Sequence, residues 1–318
     1  MHSASSNSEQ KSAIVADDIF ENEIRQFLFD EITGDQETPE LVLLTGQTGA
    51  GRSRAIGRLL SESPEFVVLS AASLRPFLLD GQGGEEIRGW MRDALTYARD
   101  HRVSVVLEDS FQSAQDARAA LDLFNAAGFR TRIVALAVSL PESLLAAVAR
   151  TVRQGPLARR PRGAVRADVE LGIRTQHELL SLPLTDSAVT IVRRDGAFDQ
   201  PNADPAGTWQ EATTEPMPTR VAAEWISELR RLTDESVEES VGAQNTILDT
   251  LVDLHRMAIN DVVPALALPA NSASRGQLDA RLKRDLVMLE SLASRLSSPV
   301  GRPDRGPEVE NRTASRGP

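Results

Sequence analysis

A chain of 318 residues with 41% hydrophobic and 25% charged side chains has a globular composition and the length for one sizeable α/β core plus a smaller second unit. Its net charge of -11 argues against general binding to nucleic acid or to an anionic membrane, both of which reward a basic face. The absence of cysteine excludes disulfides, thiolate zinc sites and cysteine nucleophiles. The start "MHSASSNSEQKS" lacks an apolar core and no run of ~18 apolar residues occurs, so neither a signal peptide nor a membrane span is expected and the reading is cytoplasmic.

In chain order, residues 1–12 read as a disordered leader. "IVADDIFENEIRQFLFDEI" follows, with Ile14, Ile19, Ile24, Phe27 and Leu28 at near-helical spacing, which predicts an amphipathic helix on the core. "LVLLT" from Leu41 has the continuous apolar character of a strand buried on both faces, and a glycine-rich turn leads from it into a helix starting near Ser53. "EFVVLS" predicts a second strand, and "EEIRGWMRDALTYARDHR" a helix with Ile87, Trp90, Met91, Ala94, Leu95 and Ala98 on one stripe. "VSVVLED", "AQDARAALDLFNAAG" and "TRIVALAVS" continue as strand, helix stopped at Gly128, and strand, and Pro141 opens a helix through about Arg153. Such alternation predicts right-handed βαβ units and a parallel sheet with ligands at the carboxyl ends of its strands. "GPLARRPRGAVR" reads as a basic loop carrying Arg159, Arg160, Arg162 and Arg166, and "AVTIVRRDGAFDQP" as a late strand with a turn at Asp195 and Gly196. From Thr219 the pattern is purely helical, with stripes at Val221, Trp225, Ile226, Leu229 and Leu232, at Ile247, Leu251 and Leu254, and at Leu278, Leu282, Leu289 and Leu296. The expected organisation is therefore an α/β unit over residues 13–218, a P-loop NTPase-type parallel sheet with helices on both faces, then a small helical subdomain over 219–297 and a disordered tail over 298–318.

Chemistry concentrates in "GQTGAGRS". Gly46, Gln47, Thr48, Gly49, Ala50, Gly51, Arg52 and Ser53 match G-x-x-x-x-G-K-[ST] at every defined position except the lysine. Glycines let backbone N–H groups turn toward an anion, the following helix offers its positive end, and the Ser53 hydroxyl can hold Mg²⁺. Arg52 is a wide, planar cation where a compact ammonium is usual, a substantial exchange in a tight loop. The chain holds only two lysines, Lys11 and Lys283, among 35 basic residues, so a general arginine preference accounts for the origin of the change. The strand ending in Glu108 and Asp109 can supply a carboxylate to a phosphoryl-transfer site, and Arg150, Arg160 and Arg162 are candidate clamps for transferring charge; a solvated strand end and a solvated basic loop are the alternatives. His101 sits where a histidine caps the last carbonyls of a helix, while His177 and His255 lack metal-ligand spacing.

From Leu41 to Arg231 the order of pieces resembles the zeta-toxin family, P-loop kinases that phosphorylate the sugar of UDP-N-acetylglucosamine and so poison cell-wall synthesis. The more specific part is "VVLEDSFQSAQDARAALDLFNAAGFRTRIVALAVSLPESLLAAVARTVRQG", followed by "RGAVRADVE" and "VTIVRRDGAFDQ". The resemblance implies that residues 46–53 hold ATP phosphates and Mg²⁺, that Glu108 and Ser110 contact a nucleotide-sugar substrate, and that Arg150 and Arg162 lie on the γ-phosphate. It also matches Arg75 to a substrate-side arginine and implies an antitoxin-like protein partner. The departures fall on the chemistry. In "SAASLRPFLLDG" the place of the family's proton-accepting aspartate is taken by Ala72, and Leu78 and Leu79 stand for His-Pro. In "EDSFQ" Asp109 replaces a glycine and Gln112 an arginine. Three expectations stay open: an ATP-dependent kinase with weakened or altered transfer, a pseudokinase serving as an interaction module, or, from the changed "SAASLRPFLLDG" loop, a nucleotide-dependent enzyme for another small hydroxyl substrate.

Overall fold

The computed structural model describes residues 19–32, 34–108, 113–154, 163–184, 186–200, 203–239, 247–269 and 271–297. The leader and tail anticipated from composition lie outside these residues.

Six strands form one sheet: β1 (Glu40–Thr45), β2 (Val67–Ser70), β3 (Val105–Glu108), β4 (Arg130–Leu136), β5 (Ser187–Val192) and β6 (Phe198–Asp199). Their order is β2-β3-β1-β4-β5-β6, and every pairing is parallel except the short β6, which returns antiparallel on β5 after the turn at Gly196. β1 lies inside the sheet between β3 and β4 with a packed core on each face, which is why "LVLL" tolerates no polar residue: Leu41, Val42, Leu43 and Leu44 are all fully buried. Alternate side chains feed two different cores. Leu41, Leu43, Leu69, Val105 and Leu107 face one side, where α1 (Arg25–Phe29), α4 (Gly84–Asp100), α5 (Ala114–Ala126), α7 (Ala164–Ser181) and α8 (Pro205–Thr214) contribute to the packing. Val42, Leu44, Val106, Val134 and Leu136 face the other, against Ile56, Leu59 and Leu60 of α2 (Arg52–Glu62).

The short α3 (Ala71–Leu74) follows β2 directly, and α6 (Leu140–Gln154) follows β4. Beyond α8 the chain continues as α9 (Thr219–Glu239), α10 (Leu248–Met257), α11 (Val263–Ala265) and α12 (Ala273–Ser297). Their apolar stripes close a third core around Trp225, Leu229, Leu251, Leu254, Leu282 and Leu289, shared with Leu144, Leu145 and Val148 of α6 and with Val165 and Val169 of α7. Trp225 Nε1 also donates to the Pro141 carbonyl at 3.1 Å, pinning α9 to the start of α6. The C-terminal helices thus grip the two helices that flank the sheet's carboxyl edge.

Three readings need correction. Ile19, Phe20, Ile24 and Phe29 are buried as an amphipathic helix requires, but Phe27 is 62% exposed, its ring edge-on to Phe77 at 5.3 Å. The cause is a widened π turn over Phe20–Ile24, which rotates the residues after it off the 3.6-residue stripe. Arg166 is not in a loop but in the first turn of α7, paired with Glu170 and Asp253. Helices α7 and α8 themselves carry weak sequence signals, because α7 buries the polar Thr175 and Gln176 among its apolar residues and α8 follows the sheet without a long apolar stripe. His101 caps α4 as expected, with Nδ1 2.9 Å from the Tyr97 carbonyl.

Candidate nucleotide site

Residues 46–51 join the carboxyl end of β1 to the amino end of α2. Gly49 and Gly51 both hold φ at +88°, a left-handed conformation that a side chain strains, and Gly51 is the cap residue from which α2 starts. A Cβ on Gly49 would stand 2.1 Å from the Ser143 carbonyl oxygen, so backbone meets backbone there. On Gly51 it would meet nothing within 4 Å, which leaves open space beside the first N–H groups of α2. A loop of this shape, at the positive end of a helix, can receive an anion.

The loop is braced from behind. Gln47, only 1% exposed, donates through Nε2 to the Val138 carbonyl at 2.7 Å and to Ser143 Oγ at 2.8 Å. Gly172 of α7 presses on the same residue, since a Cβ there would lie 2.8 Å from the Gln47 Cα. The Ala50 N–H closes a turn onto the Gln47 carbonyl at 3.0 Å. The segment between β4 and α6 therefore holds the loop in its curved form, with the Ser53 side exposed and Thr48 and Ala50 half-buried.

Strand register decides what faces this loop. Leu44 of β1 and Ser70 of β2 both pair with Glu108, which brings the tips of three strands together. Arg52 reaches across and its Nε lies 3.3 Å from Glu108 Oε1, both side chains 16% exposed. A guanidinium has five donors in a planar fork, so contact with one carboxylate does not use up its capacity for an anion. Ala72 lies in α3 just beyond Ser70, whose hydroxyl caps that helix by accepting from Ser73 N–H at 3.1 Å; Ala72 is exposed and offers a methyl group to this edge. Arg75, exposed, follows in a single 3₁₀ turn.

The structure thus brings together residues 46–53 and Glu108. Arg150 is on α6, exposed and two helical turns beyond Ser143, ~10 Å along the axis. Ser110 and Arg162, with Arg160, Asp109 and Gln112, lie outside the described residues. No group of three or more metal-ligating side chains occurs among the described residues. Reading by motif placed Gln47 in the loop without its bracing contacts, and missed Ser143 and Gly172. One neighbouring feature did leave a signal: "SLPE" has capping-box spacing, and Ser139 Oγ donates to Glu142 at 2.7 Å while Arg194 pairs with the same carboxylate.

The sheet order, the glycine loop between β1 and α2 and the acidic tip of β3 define a protein of the P-loop kinase-like class. A zeta toxin family profile matches residues 27–199, more than half of the chain, and the chain belongs to the zeta toxin family. Among solved structures, it is similar in fold to a chain of the PezAT chromosomal toxin-antitoxin system of Streptococcus pneumoniae, with TM-score 0.56, 14% identity and coverage of 68% of this chain and 96% of that one. Weaker likenesses are to AvrRxo1-ORF1:AvrRxo1-ORF2 with sulphate ions (TM-score 0.42, 12% identity, 80% of each chain) and to AvrRxo1-ORF1:-ORF2 with ATP (TM-score 0.41, 12% identity, 83% of this chain and 81% of that one). No curated protein sequence matches significantly. No described helix is long and apolar enough to cross a membrane.

Proposed function

We propose that the chain binds ATP with Mg²⁺ at residues 46–53 and transfers the γ-phosphoryl group to a hydroxyl of UDP-N-acetylglucosamine or a similar nucleotide sugar, at a rate lowered by its substitutions. The observation that carries this reading is the Arg52–Glu108 contact, which links the phosphate loop to the strand tip on the acceptor side. Loop N–H groups and the amino end of α2 would hold the phosphates and Ser53 the Mg²⁺, which shields phosphate charge when bound. Arg52 would give its fork to both Glu108 and the transferring group. Glu108, brought level with Ser70 by the strand register, would orient the acceptor hydroxyl where Ala72 leaves no proton acceptor. Arg75, Arg150, Arg162 and Ser110 are assigned supporting contacts to substrate and phosphate. Titration calorimetry with ATP and Mg²⁺ tests the binding step, and absence of heat at millimolar nucleotide defeats it. Incubation with ATP and UDP-N-acetylglucosamine, read by mass spectrometry for one added phosphate, tests the transfer.

A second reading is favoured by the methyl group of Ala72: a pseudokinase that binds nucleotide and acts as an interaction module. The similar pneumococcal chain comes from a toxin-antitoxin system, which supports an antitoxin-like protein partner here. ATP binding without any phosphorylated product from a panel of hydroxyl acceptors would select this reading.

A further inference from the structure

A cavity of about 390 Å³ opens between α7 and α8, beside the segment that follows β4. This is within the ~300–1,000 Å³ typical of small-ligand sites. Its floor is Trp209, 2% exposed, whose Nε1 is committed to the Leu136 carbonyl at 3.1 Å, so the indole turns carbon surface toward the space. Val138, Leu140 and Ile173 complete an apolar wall, and Thr213 adds a hydroxyl from α8. The rim is charged and exposed: Arg174, His177 and Glu178 stand within about one turn of α7, the His177 ring 6.3 Å from that of Trp209. No described carboxylate pairs with Arg174. An apolar slot floored by an aromatic ring selects a planar ring, and an uncommitted guanidinium at its mouth selects one carboxylate- or sulfonate-like group. Glu178 on the same rim disfavours a second negative charge.

The cavity also shares its wall with the brace of the phosphate loop. The carbonyl of Val138, a lining residue, is the acceptor of Gln47 Nε2, and Leu140, another, opens the helix whose Ser143 touches Gln47 and Gly49. Behind that wall the side-chain oxygens of Gln47 and Gln176, both 1% exposed, find no hydrogen-bond donor among the described residues. We infer that this cavity is a second ligand site, for a planar aromatic molecule carrying one anionic group, and that filling it alters the phosphate loop through Val138 and Gln47. The site stands by itself; its effect on the loop rests on reading residues 46–53 as the ATP site.

The probe is 1-anilinonaphthalene-8-sulfonate, a planar aromatic anion, titrated into the full chain while tryptophan emission is followed. One saturable equivalent that quenches tryptophan is expected, with affinity reduced at least tenfold in both Ile173→Arg and the rim variant Thr213→Phe, each checked for an unchanged melting curve. ATP affinity, measured by calorimetry with the probe at saturation, is expected to change at least threefold with no change in probe stoichiometry. Probe binding unaltered in both variants, or spread over many weak sites, overturns the site. Competitive displacement of the probe by ATP overturns it as a separate site. ATP affinity indifferent to bound probe overturns the effect on the loop, whereas probe binding without any ATP binding upholds the cavity and defeats the nucleotide reading instead.

Discussion

Arg52 is the residue on which the site turns. A lysine ammonium there would act as a point charge, whereas the guanidinium fork spans from the start of α2 to Glu108 at the tip of β3. Arg52→Lys is therefore expected to release Glu108 and, combined with Ala72→Asp, to raise transfer by about 10²–10⁴-fold, the usual worth of a positioned general base. A kinase assay on the double variant checks this, and no gain over the natural chain would mean that the acceptor pocket differs more widely than at these two positions. Gly49→Ala is expected to abolish ATP binding in calorimetry and to cost at least ~1–3 kcal/mol in denaturant unfolding from left-handed strain, before the 2.1 Å approach to the Ser143 carbonyl is relieved. The glycine loop was legible because all its defining residues lie within eight positions of one another. Its pairing with Glu108 was not, because the registers of β1 and β2 on β3 bring that carboxylate into range, and register is a property of the sheet.

At the scale of elements, α7 governs more of the site than its sequence suggests. Gly172 lets it lie against Gln47, and Gln176, one turn on, donates to the Leu136 carbonyl at 3.1 Å. Gly172→Ala forces a methyl to within 2.8 Å of the Gln47 Cα and is expected to destabilise the fold by ~1–3 kcal/mol, as overpacking does, and to weaken ATP binding together with it. Urea unfolding and ATP titration on the same variant check both; a stable variant with intact binding would show that α7 can retreat without disturbing the loop. Helix α4 was read from its apolar stripe, the strands from their continuous apolar runs, and α2, α5 and α6 from the glycine turn, Gly128 and Pro141 that bound them. Helix α7 was legible only as a helix-like stretch around His177, since Thr175 and Gln176 are buried polar residues within its stripe.

Across the whole molecule three cores flank the sheet and the helical layer, and the helical one encloses a histidine. His255 on α10 is fully buried, its Nδ1 2.9 Å from the Leu251 carbonyl. Burial pushes its pKa below the ordinary 6.5, against smaller upward pulls from the Leu251 carbonyl and Asp285. The folded state then holds fewer protons than the unfolded state between those two values, so the stabilisation is complete above pH 6.5 and is lost as pH falls toward the lowered value. The melting temperature is expected to drop between about pH 7 and pH 5, and the slope to flatten in His255→Gln. An identical slope in the variant would assign the acid sensitivity to carboxylates instead.

Local pattern alone determined the sheet class and the glycine loop, since a continuous apolar run, a 3.6-residue stripe and a glycine-rich turn each act over a few neighbouring residues; the family rested on the resemblance of the ordered pieces from Leu41 to Arg231. Tertiary structure alone decided that Arg52 meets Glu108, that Gln47, Ser143 and Gly172 brace the loop, and that a cavity floored by Trp209 adjoins it. Those relations join residues distant along the chain, and strand register and helix packing, which no local window encodes, bring them together.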